Sequence, residues 1–300
     1  MEIIRVDNIT KDYGKGKGVF DVSFSVNKGE VMGFLGPNGA GKTTTIRQLM
    51  GFIKPDKGTA TILGMDCFSE AAIISQNLGY LPGEISFLDN MTGIEFIKFI
   101  AKMKRIKDLT RAKELMAFFE LNPTGKIRKM SKGMKQKIGI VCCFMQNPDT
   151  LILDEPTGGL DPLMQSKFIE LILAEKQKGT TILMSSHIFE EVDKTCDRTA
   201  IIKDGRIVAV ENMDELRRNK VRVIEVRFEN IEDAKTFGDT RKNATRLETV
   251  VTTNILGEFN EFIKDVSKYT ILDMEIRNQS LEELFMHFYG GENNDKLDLN

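Results

Sequence analysis

The segment that most constrains the fold of this 300-residue chain is a glycine-rich loop near its N-terminus. An apolar run, Val31 to Leu35, precedes the loop, and a helical pattern from Thr43 to Gly51 follows it. A buried strand that turns through glycines into a helix directs backbone N–H groups and the helix N-terminus at a phosphate. The loop fits the pattern G-x-x-x-x-G-K-[ST] throughout, and its residues are Gly36, Pro37, Asn38, Gly39, Ala40, Gly41, Lys42, Thr43 and the adjoining Thr44. We therefore predict a nucleotide site in which Lys42 reaches the β- and γ-phosphates and the Thr43 hydroxyl ligates Mg²⁺.

A second motif is an apolar run that ends in two acids. Leu151-Ile152-Leu153 is followed by Asp154 and Glu155, which is typical of a buried parallel strand with carboxylates at its C-terminal edge. Ligands of open α/β sheets bind at that edge. We expect Asp154 to hold Mg²⁺, directly or through water, and Glu155 to polarise an attacking water.

The order of predicted elements gives the fold class. Short β-rich runs alternate with longer helical runs over the first 210 residues, which favours a mainly parallel sheet in an α/β fold. Residues 92–146 are mostly helical with a break at Asn122 to Gly125, and they predict a helical insertion. Asp204-Gly205, between two apolar runs, predicts a β-hairpin.

With both motifs in place, residues 1 to about 215 resemble the ATP-binding subunit of an ABC transporter. The resemblance implies a P-loop NTPase core with a mainly parallel sheet, an antiparallel β subdomain and the helical insertion. It implies ATP and Mg²⁺ as cofactors and ATP hydrolysis in a head-to-tail dimer that holds two nucleotides. It also implies two partners, a second ATP-binding subunit and a separate integral membrane permease.

Three further residues match positions of that family. Tyr13 matches the aromatic residue that stacks on adenine. Asp161, in Gly159-Leu160-Asp161, has the spacing of the family's D-loop and is expected beside the nucleotide at the dimer seam. His187 follows a predicted strand at 180–184, as the histidine that senses the γ-phosphate does in the family. The resemblance thus assigns catalysis to Glu155, His187 and Lys42.

Two stretches depart from the family pattern. The first follows Tyr80-Leu81-Pro82, where family members carry glutamine and this chain carries Gly83 and then Glu84. Gly83 has no side chain that could contact Mg²⁺ or water. Glu84 either supplies a carboxylate to the metal after a loop shift or faces solvent, and the sequence leaves both readings open.

The second departure is Met130-Ser131-Lys132-Gly133-Met134, which aligns with the family signature Leu-Ser-Gly-Gly-Gln at a helix start. In the family this segment closes over the ATP held by the other subunit. Ser131 can cap the helix and Gly133 allows close backbone approach, so both are expected to contact ATP. Lys132 replaces a glycine and raises the positive potential there, whereas Lys135 and Lys137 fit a solvated helix face better.

The pattern changes after about residue 218. Predicted strands at Val221–Phe228, Arg246–Thr252 and Tyr269–Ile276 alternate with predicted helices at Ile231–Phe237, Gly257–Ser267 and Leu281–Tyr289. We expect an ATP-binding domain over 1–218, with its helical subdomain at about 84–146, and a small α+β domain over 219–290. A flexible polar tail is expected over 291–300. The second domain is similar to the accessory domain of many bacterial ABC-2 exporter subunits.

The net charge and the motifs of the chain argue against other classes of function. The formal net charge is −2, and a general nucleic-acid binder would be strongly basic, so we expect no nucleic-acid partner. Ribosome-acting relatives carry two ATPase units, DNA-repair relatives carry a long coiled coil between the motifs, and GTP switches carry Asn-Lys-x-Asp. The sequence shows none of these features.

The same sequence bears on location. No window approaches 18 uninterrupted apolar residues, and the N-terminus MEIIRVDNIT lacks the pattern of a secretory signal. We therefore expect a cytoplasmic chain that binds peripherally at the inner face of the cell membrane. The sequence leaves open the cargo and the choice between a homodimer and a pair with a paralogue; it favours export.

Overall fold

The structure, a computed structural model, describes residues 1–88, 90–218, 222–241, 244–255, 259–278 and 283. The chain separates into two compact units, Met1–Met213 and the residues from Asp214 onward. Several predicted features lie outside the described residues: the junction at 219–220, the helix at Leu281–Tyr289 apart from Glu283, and the tail at 291–300.

Two sheets form the framework of the first unit. Its strands, in chain order, are β1 (Glu2–Asp12), β2 (Gly18–Asn27), β3 (Val31–Leu35), β4 (Lys57–Ile62), β5 (Met65–Asp66), β6 (Gly79–Leu81), β7 (Thr150–Asp154), β8 (Thr181–Ser186), β9 (Arg198–Lys203) and β10 (Arg206–Asn212). One sheet has the order β10-β9-β3-β8-β7-β6, and all its pairs are parallel except β9 with β10. The other has the order β2-β1-β4-β5 and is antiparallel. The predicted sheet types are confirmed.

The mainly parallel sheet is buried on both faces, because every residue of β3, β7 and β8 is buried. The register pairs Leu35 with Ser186 and Asp154 with Ser185, so these three strands end at one edge. The antiparallel sheet shares a hydrophobic core with it, and the rings of Phe24 and Phe34 lie 5.2 Å apart between centroids. The phosphate loop and the two acids are thereby brought to the same edge.

The helices of the first unit are α1 (Lys42–Leu49), α2 (Ala71–Asn77), α3 (Gly93–Met103), α4 (Thr110–Phe118), α5 (Lys132–Phe144), α6 (Pro162–Gln177) and α7 (Phe189–Thr195); α8 (Met213–Arg218) follows. The helical insertion breaks at Asn122 to Gly125 as predicted, and it also breaks after Met103, where Arg105 has a φ of 57°. Neither α2 nor α8 was predicted. Within the described residues, no helix is both long and apolar enough to cross a membrane.

The structure shows turns at two places in this unit, after β9 and after β8, where the sequence predicts a hairpin and a helix start. The hairpin at Asp204-Gly205 is confirmed: Lys203 pairs with Arg206, and both turn residues have positive φ. The sequence predicts a helix over 187–194, but α7 begins at Phe189. The reason is local, since the Ser186 hydroxyl accepts a hydrogen bond from the Ile188 amide and holds the chain in a turn.

The second unit is an antiparallel sheet with helices. Its elements are β11 (Arg222–Phe228), α9 (Ile231–Asp239), β12 (Thr245–Leu247), β13 (Val250–Ile255), α10 (Phe259–Val266) and β14 (Ile271–Asn278), and its sheet has the order β12-β13-β11-β14. Its core contains Phe228, Phe237 and Phe262. The single strand predicted at Arg246–Thr252 is wrong: Leu247 pairs with Val250 across a tight turn in which Glu248 has a φ of 53°.

The packing of β3 against α7 can be tested at Gly33. A Cβ placed there would lie 3.0 Å from Val192 Cγ1 of α7, 2.4 Å from Thr199 Oγ1 of β9 and 3.1 Å from Cys196 Sγ. We expect Gly33→Ala to lower the free energy of unfolding by about 1–3 kcal/mol, because overpacking a filled core forces neighbours to shift. Urea unfolding of the variant beside the parent measures this loss.

Gly125→Ala is the matched control, because the nearest atom to its added Cβ is Met130 Cε at 3.8 Å. It should change the free energy of unfolding by less than about 0.5 kcal/mol. Equal stabilities of the two variants would contradict the close packing of β3.

Candidate functional site

A cavity of about 800 Å³ lies where the loop after β3 faces the end of β7. The structure brings ten of the predicted site residues to its wall: Tyr13, Asn38, Gly39, Gly41, Lys42, Thr43, Thr44, Glu84, Asp154 and Glu155. The wall also includes residues that were not predicted, among them Gly18, Arg47 and Gly205. Gly205 belongs to the β9–β10 turn, and its amide donates to the Ala40 carbonyl at 3.0 Å. This hydrogen bond joins the phosphate loop to the hairpin beside it.

The loop after β3 folds around its own lysine. Lys42 is buried, and its Nζ donates to the carbonyl oxygens of Gly36 at 2.7 Å and Pro37 at 3.1 Å. Gly41 has a φ of 113°, and a Cβ there would lie 2.6 Å from a methyl carbon of Val19. Glycine is therefore required at this position both by the backbone and by the neighbouring β2. The result is a short, rigid lead into α1.

Asp154 is fully buried at the end of β7. Its Oδ1 accepts a hydrogen bond from the Ser185 hydroxyl at 2.6 Å, whereas its Oδ2 has no hydrogen-bond partner among the described residues. An unpaired buried carboxylate oxygen is costly unless a donor or a cation satisfies it. Thr43, which carries a hydroxyl, also lines the cavity. These two oxygen ligands fit a hard cation such as Mg²⁺.

Glu155 lies between two nitrogen groups. Its Oε1 is 3.2 Å from Lys42 Nζ, and its Oε2 is 3.3 Å from His187 Nδ1. Its backbone has a φ of 46°, a conformation that is costly for a residue with a side chain and that persists where the surroundings impose it. The Glu155 amide donates to the Ser185 hydroxyl at 3.0 Å, which fixes that backbone. Contacts of both the backbone amide and the carboxylate thus fix the orientation of Glu155.

The departure after Pro82 has a structural basis. A Cβ at Gly83 would lie 3.3 Å from Asp154 Oδ2, so a side chain here would crowd the unpaired oxygen. Glu84 follows on the cavity wall. Tyr80 also lines the cavity; burial, followed by the nearby charge of Asp154, raises the pKa of its phenol to about 12. Tyr80 therefore stays protonated throughout the physiological range.

Seven predicted residues do not line this cavity: Gly36, Pro37 and Ala40 of the loop after β3, and His187, Ser131, Gly133 and Asp161 elsewhere. His187 lines a neighbouring cavity of about 390 Å³ together with Glu155. Ser131 caps α5, as predicted, by accepting from the Met134 amide at 3.2 Å, and Asp161 caps α6 by accepting from the Met164 amide at 3.0 Å. Gly133 packs on the D-loop, where its added Cβ would meet the Gly159 carbonyl oxygen at 2.7 Å. Ser131, Gly133 and Asp161 line neither cavity.

The sequence reasoning missed Glu191, which is buried in α7. Its carboxylate accepts hydrogen bonds from the hydroxyls of Thr157 and Ser186, the latter at 2.9 Å. Thr157 is two residues after Glu155, and Ser186 is one residue before His187. Burial raises the pKa of the Glu191 carboxyl, and the two hydroxyl donors oppose that rise. The only feature of the sequence that could have indicated a role for Glu191 is its position one helical turn after His187.

Gln136 was missed as well. It is buried on α5, and its Nε2 donates to the Pro156 carbonyl at 2.7 Å. Pro156 immediately follows Glu155. This hydrogen bond therefore connects α5, the helix capped by Ser131, to the loop that carries Glu155.

Comparison with known proteins agrees with this geometry. The family model described as ABC transporter matches residues 19–158, and a model of an AAA domain matches residues 126–193. The linearmycin resistance ATP-binding protein LnrL of Bacillus subtilis is 37% identical over 71% of this chain and 70% of its own length. The bacitracin transport ATP-binding protein BcrA of Bacillus licheniformis is 36% identical over 74% of each chain.

Solved structures show the same fold. An ATP-binding subunit of an ABC transporter superposes with a TM-score of 0.65 at 31% identity, over 72% of this chain and 92% of that one. A dimeric ATP-binding cassette in a post-hydrolysis state with ADP and Pi superposes with a TM-score of 0.64 at 22% identity, over 70% of this chain and 98% of that one. The chain belongs to the ABC transporter family. It is an ATP-binding subunit, and its activity is ATP hydrolysis.

Glu191 can be tested as a residue that positions Glu155 and His187. Glu191→Ala leaves two buried hydroxyls without their acceptor, so the loops after β7 and β8 lose a shared anchor. We expect kcat for ATP hydrolysis to fall about tenfold or more, while the Kd for ATP changes less than about threefold. Steady-state kinetics and equilibrium nucleotide binding measure the two quantities separately.

Glu190→Ala is the control, because Glu190 is exposed and pairs only with Lys194 in the contacts described for it. A fall in affinity equal to the fall in kcat would show that Glu191 merely stabilises the fold.

Proposed function

We propose that the chain hydrolyses ATP in the 800 Å³ cavity, with Glu155 as the group that activates the attacking water. The observation that carries this assignment is the placement of its carboxylate between Lys42 Nζ at 3.2 Å and His187 Nδ1 at 3.3 Å, beside the phosphate loop. A carboxylate held between two nitrogen groups keeps a fixed direction. It can accept a proton from a water without reorganising.

The remaining residues of the cavity bind and orient the nucleotide. Tyr13 is 55% exposed, so its ring face is available for stacking on adenine. The backbone N–H groups of the loop and the N-terminus of α1 face the phosphates. Asp154 Oδ2 and the Thr43 hydroxyl would hold Mg²⁺, with Glu84 as a further candidate ligand from the cavity wall. Mg²⁺, when bound, neutralises charge on the β- and γ-phosphates.

In the chemical step, a water oxygen bonds to the γ-phosphorus as the bond to the bridging oxygen of ADP breaks. The water's proton passes to Glu155, and the products are ADP and inorganic phosphate. Lys42 stabilises the charge that develops on the transferred group. His187 keeps the Glu155 carboxylate directed at the water and contacts the γ-phosphate.

We further propose that two ATP-binding subunits form a head-to-tail dimer. Ser131, Gly133 and Asp161 line neither cavity of their own chain, which supports a role at the site of a second subunit. ABC ATP-binding subunits as a class dimerise and work with membrane permeases. In the proposed dimer, the N-terminus of α5 and the Ser131 hydroxyl contact the partner's ATP.

The transport role follows from relatives of this chain. BcrA is named for bacitracin transport and LnrL for linearmycin resistance, which supports an exporter. We propose that this subunit binds a separate integral membrane permease at the inner face of the cell membrane. We also propose the domain division at 218 and the role of residues 219–290 as an accessory domain; no nucleic acid is expected as a partner.

Glu155→Gln tests the assignment of the general base. The amide keeps the shape of the side chain but accepts a proton far less readily, so we expect ATP binding within about threefold of the parent and a kcat lowered about 100-fold or more. The variant should also accumulate as an ATP-bound dimer, which sedimentation with and without ATP detects. Hydrolysis at the parent rate would remove Glu155 from its role.

A further inference from the structure

The side chain of Lys132 runs across the D-loop of its own chain. A Cβ placed on Gly159 would lie 2.8 Å from Lys132 Cγ, 2.9 Å from Cδ and 3.3 Å from Cε. Gly159 also has a φ of 88°, which side-chain-bearing residues rarely adopt. The aliphatic stem of Lys132 therefore packs on Gly159, and it can do so because Gly159 has no side chain.

Lys132 also lines the nucleotide site of the same chain. Three residues line both the 800 Å³ cavity and the neighbouring 390 Å³ cavity, and they are Asn38, Lys132 and Glu155. Asn38 belongs to the phosphate loop, and Glu155 is the proposed base. Lys132 therefore borders the region in which the γ-phosphate of a nucleotide held by this chain would lie.

The charges around this region favour a cation. Asp154 and Glu155 bring two carboxylates, and the phosphates of ATP add further negative charge. Lys42 is already engaged by two carbonyl oxygens and Glu155. Among the described residues, the Lys132 ammonium forms no hydrogen bond or ion pair. Lys132 is exposed in the first turn of α5. The helix dipole places partial positive charge at this end of the helix, which favours an anion and disfavours a lysine unless an anion is bound nearby.

We propose that Lys132 binds the γ-phosphate of the ATP held by its own chain. This inference rests on the proposed function, since it places ATP in the 800 Å³ cavity. It separates Lys132 from its neighbours Ser131 and Gly133, which are proposed to contact the ATP of the second subunit. One short segment would then contact both nucleotides of the dimer, so that closure around one ATP is sensed at the other.

The experiment is nucleotide binding to the full chain at protein concentrations where sedimentation shows a monomer. The probes are the β,γ-imido analogue of ATP and ADP, each with Mg²⁺. Lys132→Met should weaken binding of the analogue about threefold to tenfold, the range for one charge-assisted contact that is partly exposed to solvent. Binding of ADP, which lacks the γ-phosphate, should change less than about twofold. Lys132→Arg should restore most of the affinity for the analogue, because it restores the charge.

Lys135→Met is the matched control, because Lys135 lies on the same helix and lines neither cavity. Equal affinities of the parent, Lys132→Met and Lys135→Met for the analogue would overturn the inference, and so would an equal loss for ADP. In either case Glu155→Gln still tests the proposed function independently. Failure of the parent to bind either nucleotide would contradict the proposed function itself.

Discussion

The arrangement of the site depends on one carboxylate, that of Glu155, which contacts side chains from the segments after two neighbouring strands. Glu155 follows β7, Lys42 belongs to the loop after β3, and His187 follows β8. The distances of 3.2 and 3.3 Å from Glu155 to the two nitrogen groups draw these loops together at one edge of the sheet. Because β3, β8 and β7 are parallel neighbours that end at the same edge of the sheet, the three side chains can meet there.

A layer of buried polar contacts holds this arrangement in place. Ser185 binds both the Asp154 carboxylate and the Glu155 amide. Glu191 accepts hydrogen bonds from Thr157, in the loop after Glu155, and from Ser186, directly before His187. Gln136 connects α5 to the loop after Glu155 through the Pro156 carbonyl. Buried hydrogen bonds of this kind rigidify a site, and a site that is rigid before the substrate binds needs little reorganisation during the reaction.

Local patterns in the sequence were sufficient for much of this architecture. β3 has its predicted bounds, Val31–Leu35, and β7 ends at Asp154, where the predicted apolar run reaches the first of its two acids. The hairpin around Glu248 was missed, since β-forming residues continue through its turn without glycine or proline. Ser185, the partner of Asp154 and Glu155, and Glu191, the partner of Thr157, could not be predicted, because each lies about 30 residues from its partner in the sequence and only the fold brings them close.

The central claim, that Glu155 and His187 act as one unit, is tested most directly by a double-mutant cycle on ATP hydrolysis. The four proteins are the parent, Glu155→Gln, His187→Ala and the double variant, each measured by single-turnover hydrolysis. If the two residues act together, adding His187→Ala to Glu155→Gln should change the residual rate less than about threefold, although His187→Ala alone lowers it about 100-fold. Full multiplication of the two losses would contradict the account.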